Sequence, residues 1–249
     1  MELKDFFKEH KKVAIALSGG IDSAYLLYAA KKYGAEASAY FVKSEFVPRF
    51  ELEDAQRFSV DMGVSLKIIN VSALSSPEIK RNGDDRCYFC KKLMFESLCK
   101  AAKRDGFEVI LEGTNITDDV SERPGFRAIG ELSVLSPLRL CGISKEEVRQ
   151  RAREAGIFLW DKPSYSCLAT RIEKNWEITA EKLLKTEEAE MFLFSLGFSD
   201  FRVRLCNDAS ARLELNIKDT ELFSKEKDRI SEKLGQMFSS VTFDLGARK

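Results

Sequence analysis

Residues 13–30 read VAIALSGGIDSAYLLYAA: a β-branched apolar run, two glycines among small polar side chains, then an amphipathic stretch that starts near Asp22. A strand that stops at SGG and turns directly into a helix leaves the first-turn N–H groups without carbonyl partners. Such a turn suits phosphate oxygens. The helix dipole offers only about 0.3–1 kcal/mol per charge, whereas a hydrogen bond to a charged group is worth about 1.5–3 kcal/mol. The expected grip is therefore the backbone of Gly19 and Gly20 with the hydroxyls of Ser18 and Ser23. A Walker A loop would end in Gly-Lys-Ser/Thr, and here that position reads Ile-Asp-Ser. Without the lysine, the terminal phosphoryl group is not the one marked for transfer. Asp22, negative beside a triphosphate, makes sense chiefly as a ligand for Mg²⁺. The plain alternative is a serine-capped strand-to-helix turn.

Outward from this unit the chain keeps a βαβ rhythm. The runs KVAIAL, ASAYFV, SLKIINV and FEVILEG alternate with helical patterns from about Asp22, from Glu51 to Met62, from Lys91 to Lys103, and in SKEEVRQRAREAG with Ser144 as its cap. The alternation predicts an α/β domain over residues 1–174, a parallel sheet with helices on both faces, and ligands beyond the carboxyl ends of the strands. From about Asn175 the pattern changes to a long helix (Ala180 to Leu196), the strands FRVRLC and ARLELN, a helix near Glu221 to Met237 and a last strand, SVTFDL. This predicts a smaller C-terminal α+β domain over residues 175–249.

A chain of 249 residues can bury a core without disulfides. Forty basic residues balance forty acidic ones, so no excess positive charge points to a nucleic acid. MELKDFFKEHKK is too charged for a signal peptide, and no window reaches the roughly 18 apolar residues of a membrane span. The expectation is a cytoplasmic protein with neither a nucleic-acid nor a membrane partner.

Six cysteines in that compartment should be thiols, so their clustering points to a metal or to catalysis. RCYFCKK sets Cys87 and Cys90 in CxxC spacing, and KPSYSCLATRI holds Cys167. There is no second CxxC, and His10 is the single histidine, so a four-ligand zinc site lacks evident members. Three thiolates without a fourth suggest a 4Fe-4S cluster with one iron left open for an extra sulfide. The alternative is a structural zinc at CxxC, with Cys141 or another group as fourth ligand. Cys99, nine residues past Cys90, falls on the opposite helix face and, with Cys206 in a strand-like run, reads as core packing. Cys141 fits either role.

SGGIDS resembles the PP-loop of the ATP pyrophosphatases, which split ATP between its α and β phosphates and adenylylate a substrate. A longer series narrows the resemblance to the LarE family of sulfur transferases: SGGIDS, CYFCK, EGTN followed by DD, RPGFRA with a later SPL, PSYSCLATR, FRVRL, ARLEL and FDLG, in this order along nearly the whole chain. The chain ends soon after FDLG, where that family continues through a glycine-rich stretch. The resemblance implies a PP-loop, Rossmann-like fold, ATP and Mg²⁺. It also implies a small-molecule substrate, pyridinium-3,5-biscarboxylic acid mononucleotide, whose carboxylates are adenylylated and converted to thiocarboxylates on the way to the nickel-pincer nucleotide of lactate racemase. Homo-oligomers, and transient contact with other proteins of that biosynthesis, are implied as well. Members with the additional CxxC are thought to carry sulfur on a 4Fe-4S cluster, which assigns Cys87, Cys90 and Cys167 to it and Asp22 to Mg²⁺. Otherwise Cys167 alone is the sacrificial donor and ends as dehydroalanine.

Other candidates gather around these. LEGTN ends a predicted strand, which puts Glu112, Gly113, Thr114 and Asn115 at the sheet edge where a nucleotide should lie, with Gly113 permitting close backbone approach. Asp118 and Asp119 fit a metal or a turn cap equally. Arg123 and Arg127 flank Pro124-Gly125 in an expected loop, where an arginine fork would hold a phosphate. Arg202 and Arg204, two apart on a strand, share one face and suit a mononucleotide phosphate. The resemblance associates Glu190 and Glu214 with metal or substrate handling, while local pattern fits a solvated face equally. The rival readings are a tRNA thiolase with the same loop and a similar three-cysteine site, and a non-catalytic nucleotide or metal sensor.

Overall fold

The computed structural model of the protein describes residues 1–119, 124–206 and 209–248. The chain forms two compact units, Met1–Ala73 with Asp85–Tyr165 and Leu74–Asp84 with Ser166–Lys249. The first unit opens with α1 (Leu3–Glu9), β1 (Lys12–Ala16), α2 (Ile21–Lys32), β2 (Glu36–Lys43), α3 (Arg49–Asp61) and β3 (Leu66–Asn70). The short α4 (Pro77–Lys80) belongs to the second unit. The first then resumes with α5 (Arg86–Arg104), β4 (Val109–Leu111), α6 (Pro124–Glu131), α7 (Pro137–Leu140) and α8 (Lys145–Glu154).

The four strands run parallel in the order β3-β2-β1-β4. Strand residues alternate between two cores, as the pleat requires. Val13 and Ile15 of β1 pack in one core with Leu26 and Leu27 of α2, Phe58 of α3 and Val148 of α8. Ala14 and Tyr40 pack in the other with Phe95 and Leu98 of α5. Both faces are covered, which is why the strands read as near-continuous apolar runs. The chain steps outward from β1 to β3 and then returns to place β4 on the other side of β1. The crevice between β1 and β4 is thus the switch point at which such sheets bind ligands.

The second unit holds α9 (Ala180–Ser195), β5 (Phe201–Leu205), β6 (Ser210–Asn216), α10 (Thr220–Met237) and β7 (Ser240–Arg248). Its sheet is mixed: β6 pairs antiparallel with β5 and parallel with β7. Residues 74–84 join it through buried Asn82, whose Nδ2 donates to the carbonyls of Ile172 (3.3 Å) and Glu173 (2.8 Å). Among the described residues no helix is long and apolar enough to cross a membrane.

Among the described residues the largest fully buried side chain is Arg171, at 1% exposure. Its Nε and one terminal nitrogen donate to the two carboxylate oxygens of buried Glu190, at 2.7 and 3.0 Å. The other nitrogen donates to Ser166 O, Ser166 Oγ and Thr170 Oγ1 at 3.1, 3.0 and 2.7 Å. Both residues were read past or left open in the sequence, and neither lies on a solvated face. Removing one partner of a buried ion pair strands a charge, so Arg171→Met should lower unfolding stability by about 3–5 kcal/mol in urea titration. The double variant Arg171→Met/Glu190→Met should recover most of that loss.

Candidate functional site

Strand β1 ends at Ala16, and Ser18 to Gly20 turn the chain into α2, whose first residue is Ile21. The turn braces itself. Ser23 Oγ accepts the Ser18 N–H at 3.0 Å, donates to Gly20 O at 3.1 Å and lies 3.0 Å from Ser18 Oγ. Ser23 is buried, so its hydroxyl shapes the loop from within, while Ser18 is exposed at the rim. Gly20 is the N-cap residue, and no side chain caps the helix. Gly19 adopts φ +78°, and a Cβ there would stand 2.2 Å from the carbonyl oxygen of Glu51. Only glycine meets both conditions.

Across the switch point, Glu112 to Asn115 follow β4. Gly113 does allow a close approach, but to protein: a Cβ on it would lie 2.8 Å from Ser23 N and 3.0 Å from the Asp22 carbonyl carbon. The buried Glu112 carboxylate accepts from Thr114 N (3.1 Å), Thr114 Oγ1 (2.6 Å) and the Ser136 hydroxyl. Asn115 is buried, and its Nδ2 donates to Asp22 Oδ1 at 3.1 Å. Asp118 accepts the Asn115 N–H at 3.1 Å, which makes it a turn cap, and it also lines the cavity described next.

A cavity of about 400 Å³ opens here, bounded by Ser18, Asp22 and Ser23 of the glycine turn, Gly113 and Thr114, Tyr40 to Val42 of β2, and one face of α5 formed by Lys91, Met94, Phe95 and Leu98. The helix expected from Lys91 begins at Arg86, so Cys87 and Cys90 occupy its first turn. Cys90 Sγ lies 3.6 Å from Sδ of Met94, a wall residue of the cavity. An Arg86 terminal nitrogen donates to Cys87 Sγ at 3.3 Å. Arg127 lies in helix α6, correcting the expected loop; its guanidinium sits 4.0 Å over the Tyr88 ring and 3.7 Å from Glu131. Arg123 lies outside the described residues.

Two lysines belong to this site and went unread in the sequence. Lys145, first residue of α8, donates to Asp22 Oδ2 at 2.5 Å. Lys162 donates to Gly19 O at 2.9 Å and to Asp54 Oδ2 at 2.5 Å, tying the turn to α3. Each follows a recognisable local signal, the Ser144 cap and the KPSYSC motif, but their targets lie more than a hundred residues away. Asp22 is half-buried at the cavity rim in the first turn of α2, a position that fits Mg²⁺ held jointly with nucleotide phosphates.

In the second unit, Cys167 is exposed just ahead of the turn that Arg171 holds. Arg202 is 4% exposed and donates to Phe201 O at 2.6 Å. Arg204 donates to Glu214 Oε1 at 2.7 Å and to Thr170 O at 2.5 Å, so an incoming phosphate must compete with Glu214. Glu214 is 7% exposed and also takes Arg212 at 3.0 Å, which removes the solvated-face reading for it as well. Cys99 and Cys141 pack against the two cores of the first unit, and burial pushes both thiols up from the usual range. Cys206, expected in a core, is exposed just past the end of β5. Helix α5 carries Cys87, Cys90 and Cys99, the first two three residues apart near its start. Among the described residues no group of three or more His, Cys, Asp or Glu gathers as for a metal ion.

No family model matches the chain. It is 35% identical to an uncharacterized protein of Synechocystis over 90% of its own length and 84% of that protein's. It is 32% identical to the pyridinium-3,5-bisthiocarboxylic acid mononucleotide synthase of Lactiplantibacillus plantarum over 96% of this chain and 87% of the synthase. The tRNA-specific 2-thiouridylase of Thermotoga petrophila is 29% identical over 61% of this chain and 54% of its own length.

Gly19→Ala should weaken nucleotide binding at least about tenfold and cost more than about 1–2 kcal/mol in urea unfolding, through both strain and clash. Gly20→Ala, whose Cβ meets nothing closer than Ser18 Oγ at 3.4 Å, should cost about 1 kcal/mol or less. Alkylation of the native protein near neutral pH, mapped by mass spectrometry, should modify Cys87, Cys167 and Cys206 first and Cys99 and Cys141 last.

Proposed function

The chain belongs to the LarE family of ATP-dependent, adenylylating sulfur transferases, and from that membership we propose that it converts the carboxylates of pyridinium-3,5-biscarboxylic acid mononucleotide to thiocarboxylates. The observation that carries the reading is the shared cavity: an uncapped glycine turn forms one wall, and the CxxC helix forms another. A substrate carboxylate oxygen attacks the α-phosphorus, the bond to the β-phosphate oxygen breaks, and pyrophosphate leaves over the turn. Sulfur then adds to the acyl carbon and AMP departs with the former carboxylate oxygen. The protein's part is to hold and to exclude: the turn orients the phosphates, Asn115 and Glu112 set the opposite wall, and the apolar face of α5 keeps water from the mixed anhydride. Mg²⁺ at Asp22 would neutralise charge on the departing pyrophosphate.

For the sulfur itself, we propose Cys87, Cys90 and Cys167 as the ligands of a 4Fe-4S cluster whose unligated iron would supply sulfide. Support comes from two thiols on one helix turn beside the cavity and from the exposure of Cys167. A second reading draws on that same exposure: Cys167 gives up its own sulfur.

Incubation with ATP, Mg²⁺ and the biscarboxylate should release AMP and pyrophosphate together, and absence of both would end the proposal. After anaerobic purification, Cys87→Ala, Cys90→Ala and Cys167→Ala should lose iron equally if the cluster reading holds. Iron retained in Cys167→Ala, with wild-type turnover stopping at one sulfur per chain and a mass lower by one H₂S, selects the sacrificial reading instead.

A further inference from the structure

The two oxygens of Asp22 are both engaged by neighbouring side chains. Asn115 Nδ2 holds Oδ1 at 3.1 Å, and Lys145 Nζ holds Oδ2 at 2.5 Å. The lysine's main chain cannot follow its side chain. Lys145 stands directly behind Ser144, whose capping box with Glu147 is closed at 3.2 and 2.9 Å, and its own N–H donates to Thr117 Oγ1 at 3.0 Å. The side chains of the pair are 25% and 23% exposed. Water therefore reaches the pair, which makes it exchangeable in a way that the Arg171–Glu190 pair, at 0% and 1%, is not.

A divalent cation on Oδ2 and an ammonium 2.5 Å from that oxygen compete for its negative charge and repel each other, so binding of one weakens binding of the other. Asn115 fixes Oδ1, so the carboxylate does not rotate to serve both. We propose that Lys145 is a charge placeholder: it neutralises Asp22 while the site is empty, yields that oxygen to the metal, and moves onto the pyrophosphate end of the nucleotide. One flexible side chain thus replaces the missing lysine of the Ile-Asp-Ser turn, arriving from α8 and not from the loop. The inference rests on the nucleotide reading above and deepens it by naming a positioning residue that also competes with the metal.

The two roles predict opposite changes from one substitution. With Mn²⁺ as the spin probe and full-length protein, Lys145→Met should bind Mn²⁺ alone roughly fivefold tighter, because the competitor is gone. In the presence of Mn²⁺ it should bind inorganic pyrophosphate and α,β-methylene-ATP roughly ten- to a hundredfold more weakly, because a charged hydrogen bond is lost. AMP affinity should not change, and Lys145→Arg should restore both quantities toward wild type. Lys145→Gln repeats the comparison with a polar side chain of unchanged fold demand. Unchanged Mn²⁺ affinity, or unchanged pyrophosphate affinity, in both neutral variants overturns the exchange. Failure of the wild-type protein to bind α,β-methylene-ATP at all overturns the nucleotide reading, a result separate from either.

Discussion

Helix α2 starts on Gly20 with no side chain over its end, while α8 starts on a closed Ser144–Glu147 capping box. Helices α1, α3, α5 and α7 also lack a side-chain cap; what sets α2 apart is that its open end lies at the carboxyl end of β1, where the strand order reverses. A capped helix end has no need of a ligand, whereas an open one retains N–H groups that favour an anion. Everything near the open end is arranged to keep it open and stiff. Ser23 folds its hydroxyl into the turn, Lys162 pins the Gly19 carbonyl, and Gly19 and Gly113 lack the carbon that would push neighbouring backbones away.

The ion pairs of the two units differ in kind because their solvent exposure differs. Arg171 and Glu190 are sealed, geometrically saturated and costly to separate, so they act as a fixed strut beneath the Ser166–Thr170 turn that bears Cys167. Lys145–Asp22 and Lys162–Asp54 are partly hydrated. Pairs of that type contribute little to stability, roughly 0–1 kcal/mol, and are correspondingly easy to redirect when a more strongly charged partner arrives. Rigidity sits under the exposed thiol, and adjustable charge sits at the phosphate turn.

Much of this was legible in local pattern. Apolar runs at strand length and the 3.6-residue periodicity located each strand of the parallel sheet and all but the shortest helices, because burial on both faces writes itself into consecutive residues. SGGIDS marked the carboxyl end of β1 because Gly19, at φ +78° against the Glu51 carbonyl, admits no side chain. Arg127 was misplaced because the RPG triplet reads as a loop, whereas buried Gly125 lets α6 lie against the Cys87–Lys91 turn of α5. Cys206 was misplaced because a strand-like run does not say where its last paired residue falls. Asp118 takes the Asn115 N–H as a turn cap does and also lines the cavity, a double placement that local pattern could not reveal.

What the sequence determined by itself was the order of the main elements and the position of the SGGIDS turn between β1 and α2, since each depends on neighbours within a few residues. Tertiary structure alone decided which charges meet. Lys145 reaches Asp22 across 123 positions, Lys162 reaches Gly19 across 143, and residues 74–84 leave one unit for the other on the hydrogen bonds of Asn82. Electrostatic pairing acts through space and leaves no periodic trace along the chain, so a lysine committed to a site and a lysine in solvent look alike until the fold brings a carboxylate to one of them.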